Sequence, residues 1–454
     1  KENTLRKAVN GEITEGLETL EPEELKQAHV KEQLVVNFLE EYRDMIVLLE
    51  QGSESLKTLL KSKSSSDVTG AIDALVAYSL RGVTSTFDSI VAMLGLIWYR
   101  EPVVRKAVSQ AFSNLYLNLK LHTEEEIIQN LVQLVSWLKP GQLTSLEDLF
   151  CELLVEQAVP PQIIKKIWSL FKTKQSYEAA CILRFVSLAD PTFLQRRYDN
   201  FAGSALNCSN WKVVREVLLA FERLGNQGEK TEHLLAQATQ KLFELEGQGW
   251  FGVAEQLVRT ISSICSHPLT LLKVVAIKAL QPLIGSSASE TQIAKSIFVI
   301  SEIALKVVIY GDKVASTFKK QMSDIQKEDE MEEIVGGKQA QVEIELKQIS
   351  YAQEKVVVNG IVGQATPLVT TLAQNLDTLK SDLLKKSVVL SLSKIMCLNE
   401  AICERNLDTL LQIAQNGSTE AIRCTGVIAL GDLIMRHPNL LDSYSQHLFS
   451  KLAD

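Results

Sequence analysis

Apolar residues recur along this chain three and four positions apart, the spacing that places side chains on one face of an α-helix. The clearest case lies between Glu101 and Leu115, where Val108, Ala111 and Phe112 follow a basic pair. Related segments, each with a basic residue before small and aliphatic positions, begin at Asn210, His267, Leu383 and Ala421. No part of the chain alternates strand-like and helix-like patterns. The pattern therefore predicts a succession of helices, each with one apolar stripe.

These segments return with a period near 40 residues, and each period holds two helices. That period is typical of HEAT or armadillo repeats, in which one helical hairpin cannot bury its own apolar face and neighbouring hairpins must stack. A chain of 454 residues is also too long for one compact core. We therefore predict an all-α fold, an α-solenoid of about ten stacked HEAT-type helical hairpins with an acidic insertion.

The charge pattern divides this predicted solenoid into segments. Residues 1–29 are rich in glutamate and poor in aromatic residues, so we expect an acidic, solvated lead-in. HEAT-type periodicity covers 30–310, and acidic side chains followed by two glycines interrupt it at 311–341. We expect this acidic insertion to be partly disordered, either as a soluble loop or as a segment that docks a basic partner or masks a basic groove. A second HEAT segment follows at 342–454, and we expect it to be truncated at its end because its last apolar helix lacks a cap.

The composition is that of a folded protein, and no group of residues forms a catalytic pattern. The chain is 46% hydrophobic, and its seven cysteines are placed singly, which suits a reducing compartment. The longest apolar run, 89–99, is well short of the ~20 residues that span a bilayer. The six histidines are isolated, and Gly336-Gly337-Lys338 lacks the Ser or Thr of a phosphate-binding loop. We therefore predict no enzyme activity, no cofactor, no bound metal, no membrane span and no small-molecule substrate.

A local excess of basic side chains is the strongest binding signal. Between 161 and 215 nine basic residues accompany three acidic ones, although the whole chain has a net charge of -8. Because salt screens exposed charges beyond about 8 Å, such a patch can bind phosphate groups even on an acidic protein. The same spacing also fits the solvated edge of a repeat, so both interpretations stay open. The candidate DNA-binding residues are Lys165, Lys166, Lys172, Lys174, Arg196, Arg197, Lys212 and Arg215.

Aromatic residues lie between these basic positions at helical spacing. That spacing favours a place in the hairpin core over a surface that stacks on nucleic-acid bases. The residues concerned are Trp168, Phe171, Tyr177, Phe185, Phe193, Tyr198 and Trp211.

The last seventy residues carry a more specific signal. Ser391-Leu392-Ser393-Lys394-Ile395-Met396 and Ile428-Ala429-Leu430-Gly431-Asp432-Leu433 closely resemble the condensin complex subunit 1 family, the HEAT-repeat regulatory subunits of condensin. Thr425-Gly426 departs from the family, which usually has an asparagine and an aliphatic residue there. The residues that carry the family motif are Arg423, Gly431, Asp432, Arg436, Pro438 and Asn439.

This resemblance implies a function that repetition alone does not. It implies a non-catalytic subunit that binds the kleisin subunit, contacts an SMC ATPase head and holds double-stranded DNA or chromatin during mitotic chromosome condensation and cell division. It also implies a place in the nucleus and on chromosomes, with a cytoplasmic pool. Two alternatives stay open at this point. One is the equivalent condensin II subunit, and the other is a HEAT-repeat trafficking adaptor or transport receptor.

Overall fold

The computed structural model describes residues 22–247, 249–283, 288–328, 344, 347, 348, 351 and 360–441. Within these ranges every regular element is helical and no strand is formed. Contacts divide the chain into two units, Lys1–Lys166 and Ile167–Asp454, and the division falls inside one helix. In each unit consecutive helices pack as hairpins and alternate helices also touch, which is the packing of an α-solenoid. The predicted all-α fold class is therefore confirmed.

The first unit begins with a long helix and continues through shorter ones. Short 3₁₀ turns follow α2 and α3, and one turn of π-helix, Ser113–Leu117, follows α4. Pro102 occupies the first turn of α4. Proline is tolerated there because a backbone N–H at that position would have no intrahelical partner. The helices are α1 (Pro22–Leu59), α2 (Ser65–Leu80), α3 (Phe87–Leu94), α4 (Pro102–Phe112), α5 (Glu124–Trp137) and α6 (Pro140–Val155).

The next helix, α7 (Pro161–Lys174), crosses the division, and the remaining helices belong to the second unit. They are α8 (Tyr177–Ala189), α9 (Pro191–Gln195), α10 (Tyr198–Leu206), α11 (Trp211–Leu224), α12 (Glu229–Glu244), α13 (Trp250–Ile264), α14 (Pro268–Leu280), α15 (Glu290–Glu328), α16 (Ile361–Gln374), α17 (Asp382–Met396), α18 (Glu400–Asn416), α19 (Glu420–Arg436) and α20 (Pro438–Leu441).

The core of the second unit starts with aromatic side chains. Phe171, Phe201 and Phe221 are fully buried, and their ring centroids lie 4.9 Å and 5.8 Å apart along the series. Phe185 and Tyr198 are also buried, so the prediction that the aromatic residues of this region form hairpin core is confirmed for Phe171, Phe185 and Tyr198. The other four predicted residues are partly exposed: Trp168, Tyr177, Phe193 and Trp211. Further along the unit the core becomes aliphatic, because α15 to α19 meet through leucine, isoleucine and valine.

Two helix bounds near the predicted acidic segments differ from expectation. Residues 22–29, assigned to the lead-in, belong to α1, while 1–21 lie outside the described residues. The interruption expected from residue 311 is not seen up to Glu328, because α15 continues to that residue without a proline to stop it. Burial does stop near residue 311, since Asp312 and Lys313 are exposed and the helix has left the core. Residues 329–341 of the predicted insertion lie outside the described ranges.

One predicted helix is two helices. The periodicity of 193–206 predicts a continuous helix, yet α9 ends at Gln195 and α10 begins at Tyr198. Arg197 leaves the helical region, with φ -119° and ψ 12°, and its Nη1 donates to the carbonyl of Phe193 at 3.0 Å. This bond satisfies a carbonyl that the end of a helix leaves free. Two candidate DNA-binding arginines therefore lie at a helix break.

Among the described residues, no helix combines the length and the apolar character needed to cross a bilayer.

Candidate nucleic-acid interface

The eight candidate basic residues fall into two sets. Lys165 and Lys166 belong to the first unit, and the other six belong to the second unit. We call the second set the basic surface: Lys172, Lys174, Arg196, Arg197, Lys212 and Arg215.

Of the two candidates in the first unit, Lys165 has no ion pair to another described residue and Lys166 has two. Lys165 is exposed, whereas the ammonium of Lys166 lies 2.7 Å from a carboxylate oxygen of Glu124 and also contacts Glu125. The hydrogen bonds to Glu124 and Glu125 raise the pKa of Lys166, and the bond from Lys166 lowers the pKa of Glu125. Binding a phosphate would require Lys166 to leave two partners. The contribution predicted for Lys166 is therefore weakened by its neighbours in the fold.

Two aromatic contacts bring parts of the basic surface together. The Arg197 guanidinium lies 4.0 Å from the centroid of Phe193 and 5.7 Å from that of Trp168. Lys172 is one helical turn after Trp168, on the same face of α7. The second contact involves Lys212, whose ammonium lies 5.3 Å from the centroid of the Tyr177 ring. Tyr177 follows Lys174 by three residues.

The exposed ends of these side chains stay free for a ligand. Lys172, Lys174 and Arg196 are exposed, and none has an ion pair to another described residue. Arg197 is half-buried, because its guanidinium rests on the two rings, which holds its planar group in one orientation. These two guanidinium groups and two flexible ammonium groups are donors from which phosphate oxygens accept hydrogen bonds.

The three carboxylates of the 161–215 window each have a partner in the protein. Asp199 forms an ion pair with Lys230 at 3.1 Å. Asp190 accepts from the backbone N–H of Thr192 and caps α9, while Glu178 accepts from the hydroxyl of Ser176 at 2.7 Å. These two partners are neutral and leave the negative charge in place, so a positively charged surface on the second unit stays a prediction from the sequence.

One basic residue of the region is not at the surface. The Arg184 Nε lies 2.7 Å from Glu216 Oε2, and both side chains are buried. Arg215 also approaches Glu216, at 3.6 Å, so its own charge is partly offset. Burial, and then the charge of Glu216, raises the pKa of Cys181 to about 12 and also raises that of Tyr177. Arg184 thus contributes to the core and not to a phosphate site.

Sequence reasoning also missed Lys230, which lies outside the 161–215 window. It meets the region only because α12 packs beside α10, where its ammonium reaches Asp199 and lies 5.9 Å from the Tyr198 ring. The only signal in the sequence is the repeat spacing, which places the start of one hairpin beside the previous one.

The family-motif residues divide into two kinds. Arg423 Nη1 donates to the carbonyl of Gly417 at 3.0 Å, and Arg436 donates to the carbonyl of Cys397 and to Asp312, the latter at 3.1 Å. Arg423 thus joins α19 to the turn after α18, and Arg436 joins α19 to the end of α17 and to α15. The other motif residues, Gly431, Asp432, Pro438 and Asn439, are exposed.

Comparison with known proteins gives relatives along nearly the whole chain. It is 21% identical to condensin complex subunit 1 of Xenopus laevis over 93% of this chain and 35% of that protein. It is 22% identical to the subunit of the same name in Schizosaccharomyces pombe, over 97% of this chain and 44% of that protein. The chain spans less than half the length of the curated relatives it matches. The resemblance inferred from the sequence is confirmed: this chain is similar to condensin complex subunit 1.

Two further comparisons say less. No protein-family model matches the chain. Among solved structures, importin beta superposes with a TM-score of 0.34 at 10% identity, over 88% of this chain and 61% of that one.

Proposed function

We propose, from the premise that this chain is similar to condensin complex subunit 1, that it is a non-catalytic HEAT-repeat subunit of condensin. In this role it binds the kleisin subunit, contacts an SMC ATPase head and holds double-stranded DNA in mitotic chromosome condensation. Its place is then the nucleus and the chromosomes, with a cytoplasmic pool. The observation that carries the proposal is the coverage of the similarity, which extends over 88–97% of the chain in relatives from animals, fungi and a plant.

The proposed DNA contact rests on the basic surface of the second unit. Sequence-independent binding of a duplex needs cations spaced along the phosphate backbone and no reading of base edges. Lys172 and Lys174 at the end of α7 and Arg196 directly after α9 supply exposed charge, and the ring contacts of Arg197 orient its guanidinium. The aromatic side chains of the region are buried or half-buried, which favours phosphate contact over base stacking.

The test replaces three exposed cations with neutral residues of similar length. In Lys172→Gln/Lys174→Gln/Arg196→Gln, affinity for a fluorescein-labelled 40-base-pair duplex should fall. The slope of log affinity against log salt should become shallower by about 0.9 for each phosphate group that the variant no longer neutralises. Duplexes of scrambled sequence should be affected equally, because phosphates carry no sequence information. Fluorescence anisotropy at several salt concentrations gives both quantities.

The control removes the same charge from another part of the second unit. Lys273→Gln/Lys319→Gln/Lys320→Gln changes three exposed lysines on α14 and α15. If the control weakens binding and flattens the slope as much as the test variant does, the effect is one of net charge and the basic surface is not the DNA site. An unchanged slope in the test variant has the same consequence.

The proposed kleisin contact needs a separate measurement. The chain and a kleisin subunit, co-expressed with distinct affinity tags, should elute together in gel filtration at a salt concentration that disrupts DNA binding. Elution as two separate peaks would contradict the proposed place in condensin, whatever the outcome of the DNA measurement. Binding of a transport GTPase without kleisin would instead favour the trafficking alternative.

A further inference from the structure

We infer that residues 1–21 of this chain pack as an antiparallel helix on an exposed apolar face of α1. Residues 1–21 lie outside the described residues, and their composition predicted a solvated lead-in. Eight large apolar side chains of α1 form the face, and we call it the α1 face: Val30, Leu34, Val35, Phe38, Leu39, Tyr42, Met45 and Leu48. This contact is independent of the proposed function, because it joins two parts of one chain.

The α1 face is too apolar to be an ordinary helix surface. Each of its side chains is between 38% and 67% exposed. At ~1.5 Å per residue, the stretch from Val30 to Leu48 extends roughly 28 Å. Soluble proteins rarely expose a contiguous apolar patch larger than a few hundred Å² unless it is an interaction site. We therefore expect another element to cover the α1 face.

The α1 face continues an interface that the first unit already has. At spacings of three and four residues, the stripe of the face runs on into the second half of α1: Leu39, Tyr42, Ile46, Leu49 and Ser53. Ile46 and Leu49 are half-buried and Ser53 is 2% exposed, because this part of α1 packs on α2 and α3. A helix placed against the first half of α1 would extend the same packing.

The sequence directly before α1 carries a matching apolar stripe. Apolar residues recur there every four positions, which is the spacing of one helix face: Leu5, Val9, Ile13 and Leu17. A helix over 1–21 extends roughly 30 Å, so a segment folded back from Pro22 reaches about as far as Tyr42. The segment and the α1 face thus agree in pattern and in length.

Pro22 makes the chain reverse at this point. The residue before a proline is disfavoured in the helical conformation, so Glu21 interrupts any helix that runs into α1. Gly11 and Gly16 each lower helix stability, and a segment with two glycines is not expected to be helical in isolation. Burial of its apolar stripe on α1 supplies the missing stability.

Charged residues beside the two stripes are complementary in the antiparallel arrangement. In a hairpin that reverses at Glu21, Glu12 lies beside Lys31, and Arg6 lies about one helical turn from Glu41. Lys31 and Glu41 are exposed, and neither has an ion pair to another described residue. In a two-fold antiparallel pair of α1 helices, the two Glu41 carboxylates would lie near each other, which disfavours a second copy as the occupant.

Hydrogen exchange of the intact chain, followed by mass spectrometry, tests the contact. Amides of 5–20 should be protected at least tenfold relative to a synthetic peptide of residues 1–21. In Leu5→Ser/Val9→Ser that protection should fall about tenfold, and protection of 30–45 should fall with it, because the two helices stabilise each other. The control Asn3→Ser/Thr14→Ser changes residues away from the stripe and should leave both stretches unchanged.

Charge reversal tests the antiparallel arrangement. Lys31→Glu/Glu41→Lys and Arg6→Glu/Glu12→Lys each keep the net charge. Each should lower the protection of 5–20 about fivefold, because two attractive pairs become repulsive. The chain with all four substitutions has opposite charges at both places again and should recover most of the lost protection. Losses that add in this chain would contradict the antiparallel hairpin.

Two other results would overturn the inference. One is exchange of 5–20 in the intact chain as fast as in the synthetic peptide. The other is protection of 30–45 that appears only at high protein concentration, together with a dimer in sedimentation velocity, since a second copy would then cover the α1 face. Neither result bears on duplex-DNA affinity or kleisin co-elution, which test the proposed function separately.

Discussion

Arg184 carries a charge into the core of the second unit, and its partner is 32 positions away in the sequence. In its ion pair with Glu216, Arg184 is 7% exposed and Glu216 is 3% exposed. A buried charge is tolerated only when it is paired and hydrogen-bonded. The position of Arg184 along the chain assigned it to a basic region, whereas packing of α8 against α11 removes it from the surface.

Removing one member of this pair should be costly. Glu216→Leu removes the carboxylate to which the buried Arg184 Nε donates, and we expect a loss of about 3–5 kcal/mol in the free energy of unfolding of the second unit. The exposed pair gives the control: Asp199→Ala should cost about 0–1 kcal/mol, because Lys230 remains solvated. Urea unfolding followed by circular dichroism measures both. Equal losses in the two variants would contradict a special role for burial.

The thiols should differ in reactivity for the same physical reason. Cys181 is fully buried, and burial, followed by the nearby Glu216 charge, raises its pKa to about 12. A raised pKa keeps the thiol protonated, so at a pH of about 8.5 the reactive thiolate is nearly absent. We expect iodoacetamide to modify the exposed Cys424 in the native chain and to reach Cys181 only after unfolding. Peptide mass spectrometry identifies the labelled cysteines. Rapid labelling of Cys181 in the native chain would contradict this prediction.

The two glycines of α19, Gly426 and Gly431, differ in how closely another helix approaches them. A Cβ at Gly426 would lie 3.0 Å from the Cα of Ala414 on α18, while a Cβ at Gly431 would meet nothing within 4 Å. The departure from the family at Thr425-Gly426 therefore has a local explanation. Without a side chain at Gly426, the backbones of α18 and α19 approach each other more closely.

The two glycines should respond in opposite directions. Gly426→Val should force α18 and α19 apart and cost about 1–3 kcal/mol, the usual range for overpacking. Gly431→Ala should stabilise by about 0.4–1 kcal/mol, because alanine in an exposed helix reduces the freedom of the unfolded chain. Thermal unfolding of both variants tests the sign. A destabilised Gly431→Ala variant would indicate a contact on that face.

At the scale of the whole molecule, stability is local. The helices pack mainly on others of the same or the adjacent hairpin, as expected for a solenoid, so damage should spread only to adjacent hairpins. Unfolding of such a chain is not expected to follow a single two-state transition.

Hydrogen exchange measures this locality. Phe221→Ala removes a fully buried ring that lies 4.4 Å from Tyr198, at an expected local cost of about 3–5 kcal/mol. Amide protection should fall in α8, α10 and α11 and stay unchanged in α2 and α4. The control Phe243→Ala, on a ring that is 37% exposed, should have a smaller effect. Uniform loss of protection across the chain would show global cooperativity and contradict the repeat description.

The existence and approximate positions of the helices could be predicted from the sequence, because the spacing of apolar residues is a local property of each segment. The apolar spacing between Glu101 and Leu115 also predicted a helix in the place of α4, which begins at Pro102. The family resemblance came from residues close together in the sequence, from Ser391 to Asn439. The break at Arg196-Arg197 was not predicted, because it depends on Trp168 and Phe193, which Arg197 meets only in the fold.

Which charged side chains are available to a ligand could be seen only in the folded chain. Lys166 is held by two glutamates from an earlier hairpin, Arg184 is buried with Glu216, and Lys230 joins the region from the next hairpin. Helix formation follows from neighbours along the chain, whereas desolvation and ion pairing follow from neighbours in space, and those are fixed only when the hairpins stack.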